Sequence, residues 1–192
     1  MTPQFAIIVV WGLWAASWVA AALWSDPAAQ RPALGEAWLY RIVTIVGAFL
    51  LLAWFGPLYA VRVRLWDVGQ GIEWALVAVA ALGFAFAWWA RLHLGRLWSS
   101  SVTKKADHRV IDTGPYAIVR HPIYTGILAA VFATTIAQGS PAAIAGALLM
   151  TFGFWIKARL EERFLREQLG SGAYDSYRRK VPMLIPFGPK SA

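Results

Sequence analysis

Apolar residues fall into five long stretches separated by short polar ones. The first, Phe5 to Trp24, contains no charged residue. The second, Ile42 to Val61, holds Gly47, Gly56 and Pro57, and the third, Ile72 to Ala90, carries Glu73 at its edge. A bilayer crossing takes about 20 residues, so these three predict transmembrane helices. The fourth, Ile123 to Gln138, and the fifth, Ala142 to Ile156, are shorter. Gln138-Gly139-Ser140-Pro141 between them has turn composition. This pair predicts a helical hairpin that stops short of the full bilayer thickness. Backbone polar groups in lipid need local partners, so the helix is the form open to these runs. The first stretch lacks a basic leader and exceeds a typical signal-peptide core, so it is read as a retained helix.

Composition narrows the picture. Of 192 residues, 59% are hydrophobic and 15% charged, against about 25% charged in soluble domains. That excludes a disordered or collagen-like chain and leaves no room for a large soluble domain beside the helices. Cysteine is absent, which removes disulfides, thiolate metal sites and cysteine nucleophiles. The three histidines, His93, His108 and His121, do not make a Cys/His zinc site. Tryptophans gather near the predicted span ends (Trp11, Trp24, Trp38, Trp66, Trp88, Trp89, Trp98) and read as interfacial anchors.

The net charge of +8 would suggest nucleic acid in a soluble protein. Here the basic residues flank apolar stretches, so they are read as topology signals and no nucleic-acid partner is expected. Of the 18 Lys and Arg, only Arg62 and Arg64 fall between the second and third stretches. The positive-inside bias then puts the N-terminus outside and the C-terminus in the cytoplasm. Segments 91–122 and 157–192 share the cytoplasmic side. The Ala-rich chain, without long eukaryotic extensions, points to a prokaryotic inner membrane.

Two polar stretches carry candidate chemistry. In His108-Arg109-Val110-Ile111-Asp112-Thr113-Gly114-Pro115-Tyr116, Gly114-Pro115 marks a turn. Further on, Pro122 biases His121 toward an extended conformation and opens the next helix. Arg120 and His121 therefore precede a membrane helix whose first turn holds Tyr124. Unpaired N–H groups at that helix start favour an anionic group. After the fifth stretch, helical spacing puts Lys157 and Glu161 on one face. A plainer reading makes 157–167 an amphipathic interfacial helix with Glu162–Arg166 and Arg163–Glu167 pairs facing water.

Arg120-His121-Pro122-Ile123-Tyr124-Thr125-Gly126, followed by Glu161-Glu162-Arg163-Phe164-Leu165, resembles the isoprenylcysteine carboxyl methyltransferases and the related phospholipid methyltransferases. Leu94-Gly95-Arg96-Leu97-Trp98-Ser99 and Tyr174-Asp175-Ser176-Tyr177-Arg178-Arg179-Lys180-Val181-Pro182 are similar too. The resemblance covers residues 90–187, about half the chain. It implies an all-α, polytopic membrane enzyme that binds S-adenosylmethionine in a cytoplasmic pocket, releases S-adenosylhomocysteine, and takes a lipophilic acceptor from the bilayer. The chain is then a single membrane domain over 1–192. Three N-terminal helices occupy 1–90; a methyltransferase-like core with a C-terminal amphipathic helix and tail occupies 91–192.

By position, the resemblance implies that His108, Arg109, Val110 and Ile111 line the cofactor, largely through backbone. Tyr116, His121, Pro122, Ile123 and Tyr124 complete that wall, and Glu161 and Glu162 hold polar parts of the cofactor. Lys157 stands where the family usually has an arginine that binds the acceptor, and so lacks the planar fork suited to a carboxylate. Ser101 stands where some relatives have a cofactor-binding glutamine, and that role is not transferred. Arg120 and Glu161 are the candidate catalytic residues, Arg120 orienting the acceptor and Glu161 fixing both Arg120 and the cofactor. The acceptor expected first is the carboxylate of an isoprenylcysteine-like molecule, already ionised at neutral pH. Alternatives are phosphatidylethanolamine-type N-methylation, a nicotinamide-dependent relative of sterol reductases, and a non-enzymatic scaffold. No Gly-rich dinucleotide fingerprint supports the reductase.

Overall fold

A computed structural model describes residues 1–22, 34–52, 63–95, 110–169 and 171–190. All regular elements among them are helical. They are α1 (Pro3–Ala22), α2 (Leu34–Leu52), α3 (Gly69–Leu94), α4 (Pro122–Gln138), α5 (Pro141–Leu169) and α6 (Ser171–Lys180), with a 3₁₀ turn at Gly114–Ala117 before α4. α1, α3 and α5 contain stretches long and apolar enough to cross a bilayer, and α2 and α4 are shorter apolar helices. The protein is an all-α polytopic membrane protein.

The expected boundaries shift in two places. α2 begins before Ile42, and its predicted continuation through Gly56 and Pro57 lies outside the described residues. The fifth apolar stretch is not a short helix followed by a separate interfacial one. It is one helix of 29 residues. No glycine or proline interrupts the chain between Phe154 and Leu169, so the backbone ladder continues past the apolar part. The hairpin turn forms as expected: Gly139 takes the left-handed conformation at φ 59° and ends α4, and Ser140 Oγ accepts from the Ala143 N–H at 3.1 Å to open α5. That turn sits against the segment before α3, with Leu65 N–H on Gly139 O at 2.7 Å and Trp66 Nε1 on Ile136 O at 2.9 Å. The turn of the hairpin therefore lies beside the segment that leads into α3.

Lipid offers no hydrophobic gain for helix association, so close packing must hold the bundle. α3 packs on α4, and α2 on α5. Each crossing is built on glycine. A side chain at Gly126 would meet the Gly83 carbonyl. One at Gly47 would lie 2.8 Å from the Gly146 carbonyl, and one at Gly146 2.7 Å from that of Gly47. α1 leans on α3 through an aromatic ladder: Trp14 stacks on Phe84 at 4.7 Å, and Trp18 meets Trp88 edge-on at 5.5 Å. Trp11 Nε1 donates to Thr134 Oγ1 on α4 at 2.9 Å, and Trp88 Nε1 to Ser17 Oγ at 3.1 Å. Trp11 and Trp88 were expected as interfacial anchors. They instead join helices, because an indole N–H buried in an apolar bundle needs a protein acceptor.

Gly126→Ala is expected to lower the thermal midpoint in detergent, at a cost of about 1–3 kcal/mol for overpacking against a backbone carbonyl. Gly12→Ala, whose added carbon meets nothing within 4 Å, is expected to leave the midpoint unchanged or raise it slightly. Equal midpoints for the two variants would contradict the crossing.

Candidate functional site

The polar corner forms at the end of the bundle where α3 ends, α4 begins and α5 runs out of its apolar part. Gly114, at φ 58°, turns the chain, and a side chain there would strike the His93 ring. Pro115 and Tyr116 pack inward. Pro122 is fully buried as the first residue of α4, and His121 before it has a non-helical backbone at φ −124°, ψ 62°. The consequence is that Arg120 and His121 turn back onto α5 rather than outward.

Arg120 has a side-chain exposure of 1%. Its Nε donates to Glu162 Oε1 at 2.7 Å. One terminal nitrogen donates to the carbonyls of Arg178 at 2.9 Å and Val181 at 2.6 Å, closing the C-terminus of α6 as a cation should. The backbone N–H groups of Arg120 and His121 donate to the carbonyls of Pro182 and Met183 at 2.9 and 3.1 Å. Thr125 Oγ1 donates to Leu184 O at 2.6 Å. The C-terminal tail is thus stitched along the approach to α4. Arg178 Nε lies 3.4 Å from Glu162 Oε2, an ion-pair distance without hydrogen-bond geometry.

His121 stands between the two acids. Its Nδ1 is 3.5 Å from Glu161 Oε2 and its Nε2 is 3.4 Å from Glu162 Oε1. Tyr124 donates to Glu161 Oε1 at 2.6 Å. The Tyr124 ring stacks on His121 at 5.4 Å and on Phe154 at 5.0 Å. Lys157 Nζ lies 5.1 Å from the centre of the Tyr124 ring. Burial works against the imidazolium of His121, but hydrogen bonds and charge from Glu161 and Glu162 outweigh it and raise the His121 pKa above its ordinary value. Burial pushes the Tyr116 phenol well up, with the charge of Glu161 adding to it. Tyr116 is a hydrogen-bonding group here, not an acid.

The structure brings together Tyr116, Arg120, His121, Pro122, Ile123, Tyr124, Lys157, Glu161 and Glu162. Two expectations change. The Arg120 guanidinium bonds Glu162, where Glu161 was expected, and ties α4, α5 and α6 together. Glu162 is buried, and Arg166 pairs with Asp175 at 2.8 Å, so the water-facing Glu162–Arg166 pair does not form. Glu161 is the more open acid, at 21% side-chain exposure against 5% for Glu162. Val110 packs on the small cluster of Tyr174, Tyr177 and Val181, and Ile111 packs on the main core. His108 and Arg109 lie outside the described residues. Sequence reasoning assigned no role to Arg178 and Tyr177. Tyr177 OH donates to Tyr116 O at 2.7 Å and pins the 3₁₀ turn. The signal for both was the 174–182 motif. Phe154 gave none, because it reads as one more apolar residue of a span.

Residues 76–167 match the model of the isoprenylcysteine carboxyl methyltransferase (ICMT) family. The chain is 32% identical over 168 residues to a methanethiol S-methyltransferase of Pseudomonas sp. (strain GM41(2012)), covering 78% of this chain and 61% of that protein. It is 32% identical over 106 residues to the protein-S-isoprenylcysteine O-methyltransferase of Schizosaccharomyces pombe, covering 52% and 43%. The chain therefore falls short of two-thirds of the length of the relatives it matches. A solved structure of the eukaryotic intramembrane Ras methyltransferase ICMT superposes with TM-score 0.56 at 24% identity, over 77% of this chain and 52% of that one. That likeness is one of fold.

Removing Arg120 takes from the buried Glu162 its nearest counter-charge, at 2.7 Å, and leaves only the longer contacts to His121 and Arg178 at 3.4 Å. Arg120→Ala is expected to cost about 3–5 kcal/mol and to speed amide exchange at residues 120 and 121, whose N–H groups bond the Pro182 and Met183 carbonyls, read by mass spectrometry; unchanged exchange there would refute the stitching. The raised His121 pKa has a signed consequence. The stability it contributes is fully present below the unfolded value of 6.5 and is lost as pH rises through the higher folded value. Between about pH 6 and pH 8.5 the wild-type midpoint should fall more than that of His121→Gln. A parallel response of the two would contradict the assignment.

Proposed function

From the premise that the chain belongs, through residues 76–167, to the isoprenylcysteine carboxyl methyltransferase family, we propose that it is an S-adenosylmethionine-dependent membrane methyltransferase acting on an anionic lipophilic acceptor. The observation that carries this is the continuous array Tyr124–Glu161–His121–Glu162–Arg120 at one end of an apolar bundle, with the Lys157 ammonium beside it. The donor set fits the cofactor. A sulfonium and an α-ammonium are both cationic, and the array offers a partly exposed carboxylate and stacked aromatic faces. Glu161 already accepts from Tyr124 and faces His121, but a carboxylate has about four lone-pair sites, so capacity remains.

The bound cofactor supplies an electrophilic methyl group. The protein's share is binding, alignment and dryness. Glu161 would hold the cofactor's ammonium, and the Tyr124 hydroxyl steadies Glu161. His121, charged between two acids, keeps both from repelling each other. Lys157 would face the acceptor's negative atom. Arg120 and Glu162 position the corner from behind.

The carboxylate of an isoprenylcysteine-like molecule is the acceptor favoured by the motif. A small thiol is the second reading, favoured because relatives that match 78% and 74% of this chain are named for methanethiol. A cationic amine acceptor is disfavoured by the neighbouring Lys157. The basic bias supports an external N-terminus and a cytoplasmic site, in a prokaryotic inner membrane.

Purified protein is expected to bind S-adenosylhomocysteine, and Glu161→Gln to weaken that binding about tenfold or more, as expected for losing a charged hydrogen bond. Absence of binding to the wild type would end the proposal. Acceptor chemistry is read from pH. A carboxylate gives rates nearly flat above about pH 6, whereas a thiol gives a rising limb set by thiolate formation.

A further inference from the structure

Tyr40 lies on α2, outside the stretch that matches the family model. It is 5% exposed and packs on Leu160, with Ile156 and Phe164 around the pair. Its ring lies 5.7 Å from Lys157 Nζ, and the Tyr124 ring on α4 lies 5.1 Å from the same nitrogen. Both fall within the reach of a cation–π contact. The ammonium of α5 is therefore within reach of two aromatic rings supplied by two other helices.

This seat needs α2 to run close along α5. The Gly47–Gly146 crossing provides that, as does Thr44, whose hydroxyl occupies the space a side chain at Gly153 would take. Lysine is a compact charge on a flexible stem and has no fixed fork. A lysine meant to meet one atom of an acceptor needs its stem restrained, and two aromatic rings add to the pull of the Glu161 charge one turn further on α5.

We propose that Tyr40 is a positioning residue that, together with Tyr124, aims the Lys157 ammonium at the acceptor's anionic atom. On this assignment α2 sets the charge preference for the acceptor and is not a passive anchor. The inference rests on the methyl-transfer reading above and deepens it.

The test measures acceptor KM, kcat and S-adenosylhomocysteine affinity with two probes, a prenylated cysteine bearing a free carboxylate and a short alkyl thiol. Tyr40→Leu is expected to raise acceptor KM about threefold to thirtyfold, with cofactor affinity unchanged. Tyr40→Phe, which keeps the ring, is expected to restore KM to within about twofold of wild type. In a Lys157→Met background, Tyr40→Leu should add no further change, because the pair acts as one unit. If Tyr40→Leu does not fold, Tyr40→Met supplies the same comparison. Equal KM for Tyr40→Leu and wild type, failure of phenylalanine to restore KM, or an undiminished effect in the Lys157→Met background would each overturn the assignment. A wild type that methylates neither probe and does not bind S-adenosylhomocysteine would instead overturn the methyl-transfer reading.

Discussion

A guanidinium buried at the end of an apolar bundle must find all its partners in protein. Arg120 does so by joining three elements: Glu162 on α5, two carbonyls at the end of α6, and its own place before α4. The desolvation cost of such a pair is several kcal/mol per ion, so it persists only when geometry and extra hydrogen bonds are good. That requirement couples the site to the tail. Any arrangement that releases residues 181–184 takes the Val181 carbonyl from Arg120 and the Pro182 and Met183 carbonyls from the backbone before α4. Rigidity of the corner therefore comes from electrostatics, while rigidity of the helices comes from packing.

The two demands meet at α4. Its apolar residues and glycine let it press against α3, which sets where its first turn points. Its first turn then presents Tyr124 to Glu161 and its cap residue His121 to both acids. A site built this way is held by helices rather than loops, which suits chemistry that depends on aligning atoms to fractions of an ångström. The division of labour between the acids follows from burial. Glu162 is enclosed with Arg120. Glu161, partly open and held by Tyr124, has lone pairs to offer a ligand.

Much of this was legible along the chain. Five apolar runs, the Gly139 turn, the His121–Pro122 cap and the basic asymmetry all have local physical causes, so they survive without tertiary information. The 120–126 and 161–165 motifs pointed to two segments that the fold brings into contact. The length of α5 was missed because its apolar run ends at Ile156 while its helix-forming backbone does not. The partner of Arg120 was misassigned because Glu161 and Glu162 are adjacent, and which of two neighbouring acids faces inward depends on the rotation of α5 against α4. Trp11 and Trp88 were misread because an indole near a span end looks the same whether it meets headgroups or another helix.

The amino-acid order alone determined an all-helical membrane chain with its polar chemistry gathered at one end, because hydropathy, proline, glycine and charge act over a few residues. Only the packed structure decided that the tail closes over His121, that Glu162 and not Glu161 neutralises Arg120, and that Tyr40 of α2 reaches Lys157. Those contacts join residues 40 to 120 positions apart, and their geometry depends on helix crossings that no local pattern encodes.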